Sequence, residues 1–104
     1  MKNYLVGLEL RIGEYEKSSY MIINAEDEYK AGDYALLCES HCCDELEWDE
    51  DCQGVYDDWG GMHYSVDSVK ELSDTEFKTM SQYLPTMHYD QDDLDKSGNY
   101  KEKA

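Results

Sequence analysis

The chain lacks lysine and arginine altogether between Lys30 and Lys70, a long gap in a protein of 104 residues. That stretch carries eleven Asp and Glu residues, eight of them between Asp44 and Asp58, and the formal net charge of the chain is -16. Affinity for DNA or RNA comes from lysines and arginines that neutralise phosphates, so this composition argues against direct nucleic-acid binding. Clustered like charges also destabilise a compact state, and we therefore expect the acidic segment to bind a basic partner.

Long apolar runs are also missing. No stretch approaches the roughly eighteen consecutive apolar residues of a membrane helix, so no membrane partner is expected. The apolar run at the N-terminus is short and is interrupted by Glu9 and Arg11, which does not fit a secretory signal. We expect a soluble protein of the cytoplasm, a reducing compartment in which disulfides are rare.

Signatures of catalysis and of cofactor binding are not evident either. Gly60 and Gly61 are not followed by the lysine of a phosphate-binding loop, and the sequence identifies no orienting partner for His63 or His88. So short a chain would also struggle to build the substrate cleft that a pair of catalytic carboxylates needs. We therefore predict a protein that is not an enzyme and holds no cofactor.

Alternating apolar and polar residues predict a first strand over Tyr4–Ile12. A turn at Gly13–Lys17 joins it to a predicted hairpin partner at Ser19–Ile23. Asn24 is then positioned to cap a helix, with Asp27 near its positive N-terminal end. The apolar face of this helix has the expected spacing of three and four residues and comprises Ala31, Tyr34, Ala35, Cys38 and Cys42.

The acidic segment, residues 44–61, combines dense like charge with glycines, which predicts a loop. Alternation over Met62–Val66 predicts a third strand, which could continue to Val69 after a local irregularity. Ser73 and Glu76 then have the spacing of a capping box, which predicts a second helix.

Leu72 and Phe77 stand at the two positions of a hydrophobic staple around that helix, and Pro85 ends it. Its inner face is predicted to comprise Phe77, Met80, Tyr83 and Leu84. The composition turns polar and acidic after Tyr89, which predicts a mobile tail over residues 90–104. The sequence thus predicts one α+β domain over residues 1–89, a small antiparallel sheet with two helices on one face in the order β-β-α-loop-β-α.

The four cysteines allow three interpretations. They could remain thiols, or Cys52 could form a disulfide with Cys42 or Cys43 in an oxidising context. They could also bind zinc, although the sequence has no Cys-x-x-Cys pair, and the protein would then be a small regulatory or adaptor module. The candidate zinc ligands are Cys38, His41, Cys42, Cys43 and Cys52, with His63 further on.

Two segments imitate the start of a calcium-binding loop, Asp49–Gly54 and Asp93–Gly98. Both lack the bidentate glutamate at the twelfth position, where Gly60 and Ala104 stand. A specific calcium site is therefore not expected.

Aromatic residues are interleaved with the carboxylates of the acidic segment. They could anchor the segment to the core, or they could contact a partner, because Trp and Tyr are enriched at binding hot spots. The acidic face could also serve only for solvation, in a structural or interaction protein. The surface predicted to bind the partner comprises Asp44, Glu45, Glu47, Trp48, Asp49, Glu50, Asp51, Tyr56, Asp57, Asp58 and Trp59.

In size, net charge and the acidic run Asp44–Asp51 with Asp57 and Asp58, the chain resembles the small acidic DNA-mimic inhibitors that phages and mobile elements encode against host defence. These are the anti-restriction and anti-CRISPR proteins, and the resemblance is one of composition because they share no common fold or motif. It implies that surface carboxylates take the place of phosphates. It also implies a basic nucleic-acid-binding host complex as the partner.

Overall fold

The computed structural model describes residues 1–40, 47–49, 51–57 and 62–96. Within these residues the chain forms six strands and three helices, which confirms the predicted α+β class. The elements are β1 (Lys2–Ile12), β2 (Tyr15–Ala25), α1 (Glu28–Glu39), β3 (Glu47–Asp49), β4 (Gly54–Asp57), β5 (Met62–Glu71), α2 (Asp74–Met80), β6 (Thr86–His88) and α3 (Gln91–Lys96). None of the helices in this described part is long and apolar enough to cross a membrane.

The strands form one sheet in the order β3-β4-β5-β1-β2-β6, and neighbours are antiparallel except for the parallel pair β2 and β6. The hairpin of β1 and β2 is tighter than predicted, because Ile12 pairs with Tyr15 and leaves only Gly13 and Glu14 in the turn. Gly13 has a φ of 62°, which glycine adopts without steric cost. The second strand therefore begins at Tyr15 rather than Ser19.

The start of α1 corrects the predicted helix cap. β2 continues through Asn24, whose side-chain amide donates a hydrogen bond to Asn3 Oδ1 at 3.1 Å. Asp27 is the residue that caps the helix, since its Oδ1 accepts a hydrogen bond from the Lys30 amide at 2.8 Å. Sequence alone could not separate the two candidates, because Asn and Asp are comparable capping residues.

The core lies between α1 and one face of the sheet. Alternate residues of β1 fill it from the sheet side, beginning with Tyr4 and Val6. From the helix side it receives Ala31, Tyr34 and Ala35, which are buried as predicted. Cys38 is half-buried and packs against this core, while Cys42 lies outside the described residues.

β5 contains the predicted irregularity. Gly7 pairs with Ser68 whereas Leu8 pairs with Val66, so Asp67 has no partner position on β1. Such a bulge shifts the register by one residue and returns Val69 to the core face. The third strand thus continues past Val66, as expected from the sequence.

The capping box at α2 is confirmed: Ser73 Oγ accepts from the Glu76 amide and the Glu76 side chain accepts from the Ser73 amide. The predicted inner face is wrong at Tyr83, whose side chain is 81% exposed. The helix ends at Met80, so the helical spacing no longer determines which side of the chain is buried. Phe77 is half-buried, and the position of α2 on the same sheet face as α1 stays a prediction.

The C-terminal region differs from the mobile tail predicted to begin at residue 90. Residues 91–96 form α3, and its Leu94 side chain is 0% exposed within the core. The Tyr34 hydroxyl of α1 donates a 2.6 Å hydrogen bond to Asp93 Oδ2. These contacts fix α3 against α1, whereas residues 97–104 lie outside the described part of the chain.

Candidate functional site

The acidic segment contains a β-hairpin at the edge of the sheet, where the sequence predicted a loop. β3 and β4 are antiparallel, and β4 pairs in turn with β5. The predicted loop is therefore wrong at residues 47–49 and 54–57, because pairing to β5 outweighs the low strand preference of acidic residues. The register across β3 and β4 pairs Glu47 with Tyr56, Trp48 with Val55, and Asp49 with Gly54.

Two side chains anchor this hairpin to the rest of the protein. Trp48 is half-buried against the core, next to its cross-strand neighbour Val55, which is fully buried. Gln53 Nε2 donates hydrogen bonds to the Tyr29 carbonyl oxygen at 2.7 Å and to Asp33 Oδ1 at 3.0 Å, both on α1. Sequence analysis did not identify Gln53, because a glutamine in a polar turn carries no signal of a distant partner.

The Asp49 carboxylate is turned into the hairpin. Its Oδ1 accepts a hydrogen bond from the Asp51 amide at 2.8 Å, and its Oδ2 accepts one from the Cys52 thiol at 3.3 Å. The same Oδ2 lies 3.1 Å from His63 Nε2. The hydrogen bond from the Asp51 amide, followed by that from Cys52, holds the pKa of Asp49 below its ordinary value. Asp49 is therefore ionised throughout the physiological range.

His63 lies on β5, the strand that pairs with β4. It precedes the buried Tyr64 in β5, so its side chain points to the sheet face opposite the core. The Tyr56 ring of β4 lies beside it, with ring centroids 4.5 Å apart. The negative charge of nearby Asp49, followed by partial burial, raises the pKa of the Tyr56 hydroxyl. The Tyr56 side chain is thus uncharged at neutral pH, and its ring lines one side of this site.

Gly54 provides the space in which these groups meet. A Cβ atom at Gly54 would lie 2.7 Å from the Tyr64 carbonyl oxygen, which is closer than real Cβ contacts. The same Cβ would lie 3.2 Å from His63 Nε2 and 3.3 Å from Cys52 Sγ. Desolvation of the sulfur, followed by the hydrogen bond to the adjacent Asp49 carboxylate, raises the pKa of the Cys52 thiol. A glycine at this position keeps the imidazole and the thiol close together.

The electrostatics of the hairpin follow from where the cations lie. Among the described residues, the ion pairs of lysine and arginine lie away from the hairpin. They are Lys2–Glu71, Arg11–Glu9, Arg11–Glu16, Lys30–Glu26 and Lys70–Glu76. Arg11 stands opposite His63 in the β1–β5 register, but its guanidinium contacts Glu9 and Glu16 at 3.2 and 3.4 Å. The sequence from 47 to 57 contains no lysine or arginine. In the part of the chain that the structure describes, no lysine or arginine forms an ion pair with the hairpin.

The structure places only some of the predicted partner-binding residues. Glu47 and Asp51 are exposed, whereas Trp48, Asp49 and Tyr56 are half-buried. Asp57 lies in β4. The remaining members of that surface lie outside the described residues, and they are Asp44, Glu45, Glu50, Asp58 and Trp59.

Only some of the candidate zinc ligands predicted from the sequence lie among the described residues. Cys52 lies beside Asp49 and His63, while Cys38 packs against the core. His41, Cys42 and Cys43 lie outside the described residues, and so do both predicted disulfide pairings of Cys52. In the described part of the chain, Cys52 is a free, exposed thiol.

The side chains of Asp49, Cys52 and His63 converge on one point, with their ligand atoms within 4.8 Å of one another. A nucleophile, base and orienting acid would form a chain in which the histidine uses a different nitrogen for each partner. Here both Cys52 Sγ and His63 Nε2 contact the same oxygen of Asp49, an arrangement that suits binding of a cation. Comparison of the chain with protein-family profiles, with curated proteins and with solved structures found no match.

Proposed function

We propose that this protein is a non-enzymatic inhibitor that places its acidic β3–β4 hairpin in the basic nucleic-acid groove of a host defence complex. It would act in the host cytoplasm, in the manner of an anti-CRISPR or anti-restriction protein. The observation that carries the proposal is the segregation of charge. Lysine and arginine are absent from residue 31 to residue 69, and the ion-paired cations of the described residues lie outside the hairpin.

The density of carboxylates along the acidic segment supports phosphate mimicry. In an extended chain, the eight carboxylates from Asp44 to Asp58 would recur at roughly one per 6 Å, within about a factor of two of the 3.4 Å phosphate spacing along one DNA strand. Glu47 of β3 and Asp51 of the following turn are exposed, whereas Asp49 is held by internal hydrogen bonds. Long-range attraction between such a surface and a basic groove would accelerate association.

The anchoring of the hairpin favours a defined binding surface over a flexible acidic tail. Trp48 packs against the core, and Gln53 is hydrogen-bonded to α1. A surface that is ordered before binding avoids the conformational entropy that a disordered segment loses in a complex. The hairpin can therefore contribute more of its interaction free energy to affinity.

The first test is a comparison of charge variants. The double variant Glu47→Gln/Asp51→Asn should lose binding to a basic nucleic-acid-binding protein that wild type captures from host lysate at low salt. The control Glu14→Gln/Asp67→Asn removes the same charge from exposed positions outside the hairpin, and it should bind nearly as wild type does. Association of wild type should also slow steeply as salt increases through physiological ionic strength.

The second test is competition with nucleic acid on the purified partner. Partner that is saturated with its target DNA should not bind this protein, and partner bound to this protein should not take up DNA, because one set of lysines and arginines cannot neutralise both. A stable ternary complex at equilibrium would refute occupation of the groove. Equal loss of binding in both double variants would show that net charge acts without the hairpin.

A further inference from the structure

We propose that Asp49, Cys52 and His63 bind a single zinc ion at the base of the β3–β4 hairpin. One carboxylate oxygen, one sulfur and one imidazole nitrogen lie within 4.8 Å of one another there. This set shares Cys52 and His63 with the predicted cysteine-rich site, but its third ligand is Asp49 of β3, which that prediction did not include. The proposal is independent of the inhibitor function, because it concerns what holds the hairpin rather than what the hairpin binds.

The distances from Asp49 Oδ2 to the other two ligand atoms are close to those of a tetrahedral zinc site. Zinc binds carboxylate oxygen and histidine nitrogen at about 2.0–2.2 Å and thiolate sulfur at about 2.3 Å, so neighbouring ligand atoms are about 3.3–3.7 Å apart. Asp49 Oδ2 lies 3.1 Å from His63 Nε2 and 3.3 Å from Cys52 Sγ. The third separation, between Cys52 Sγ and His63 Nε2, is at most 4.8 Å, so movement of these two side chains toward each other would admit the ion.

Surrounding groups orient the ligands, as is typical of metal sites. The Asp51 amide binds Asp49 Oδ1 and leaves Oδ2 directed at the other two ligands. The Tyr56 ring lies against the imidazole of His63. Gly54 adds an independent observation, because a Cβ at that position would crowd both Cys52 Sγ and His63 Nε2. The local structure thus keeps a small space where the three ligand atoms meet.

The donor set selects the class of metal. A mixture of sulfur, nitrogen and oxygen ligands suits zinc, whereas calcium and magnesium bind sites built from oxygen. Three protein ligands leave a fourth position for water or for a group of a partner. Bound zinc would link β3, the hairpin turn and β5, and so fix the edge strand to the interior of the sheet.

The test uses the whole chain, reduced and stripped of metal with a chelator, and then titrated with Zn²⁺ in equilibrium dialysis. We expect one ion per chain and an increase in melting temperature with zinc. Co²⁺ in place of Zn²⁺ should produce a thiolate-to-cobalt charge-transfer band that Cys52→Ser abolishes. Asp49→Asn and His63→Gln should each weaken zinc binding at least tenfold, and millimolar Ca²⁺ should not displace zinc.

The matched controls are Cys38→Ser and His88→Gln, a cysteine and a histidine outside the proposed site, and both should bind zinc as wild type does. Circular dichroism of each variant without metal shows whether that variant is folded. Removal of the cobalt band from wild type by a chelator tests reversible metal binding without any substitution. Loss of binding in Cys38→Ser would place the metal near α1 and overturn the proposal. The proposal would also be overturned if none of the three ligand substitutions changed zinc binding, if calcium displaced zinc, or if no saturable zinc site were found.

Discussion

Replacing Leu94 with alanine tests whether α3 is part of the folded protein. The Leu94 side chain is 0% exposed and belongs to the core, although the helix that carries it has only six residues. Substitution of a fully buried leucine by alanine typically costs about 2–5 kcal/mol, from lost apolar burial and from the cavity that remains. For a chain of this size, that loss corresponds to a decrease in melting temperature of about 10 °C or more.

The measurement is thermal and urea unfolding followed by circular dichroism, with Asp92→Ala as the matched control. Asp92 is exposed in the same helix, so its substitution should change the stability only slightly. Because α3 is close to the C-terminus, it could detach before the rest unfolds, and amide exchange of residues 91–96 would report that local opening. If Leu94→Ala and Asp92→Ala both melted within a degree or two of wild type, α3 would not be docked and the predicted mobile tail would be right.

Three further predictions concern the scaffold. Gly54→Ala should lower the melting temperature, because the new Cβ would lie 2.7 Å from the Tyr64 carbonyl oxygen, and an unchanged melting temperature would show that β4 can move away. Phe77→Ala should lower the free energy of unfolding in urea by about 1–2 kcal/mol. This is less than the loss of about 3–5 kcal/mol for a core phenylalanine, because Phe77 is only half-buried. A loss of about 3–5 kcal/mol would contradict this prediction. The hydrogen bond from Lys70, followed by those from Ser73, lowers the pKa of Glu76 to about 2 from an ordinary value of 4.5. The stabilising contribution of the Glu76 carboxylate is therefore present above about pH 4.5 and is lost as the pH falls toward 2. Wild type should be more stable than Glu76→Gln at about pH 7, and this difference in stability should vanish near pH 2. A difference that stays constant with pH would refute the assignment.

Local sequence patterns predicted the elements whose stability is local. The alternation of β1, the irregularity before Val69 and the capping box of α2 all appear in the structure, because each depends on residues close in sequence. β3 and β4 were missed because their acidic composition is unfavourable for strands and only pairing with β5 offsets it. α3 was missed because a six-residue acidic helix is not stable alone, and its docking depends on Tyr34 and Leu94.

The candidate site could be predicted in part. Asp49 was predicted to bind a partner, whereas Cys52 and His63 were candidate ligands of a cysteine-rich zinc site. Their convergence depends on two facts that no spacing rule contains, the β4–β5 register and the space left by Gly54. The anchoring role of Gln53 likewise depends on the position of α1 across the core.

The carboxylates of the acidic hairpin point in two different directions, and the two proposals assign them different tasks. Asp49 is turned inward, where an amide, a thiol and an imidazole surround its two oxygens. Glu47 and Asp51 are exposed and form no ion pair with another described residue, so their charge can attract a basic partner at low ionic strength. An inward carboxylate that binds a divalent cation would also reduce the repulsion that the exposed ones impose on the hairpin. The two proposals together therefore predict that changing the inward carboxylate alters the stability of this edge of the sheet, and that changing the outward pair alters the attraction for a partner.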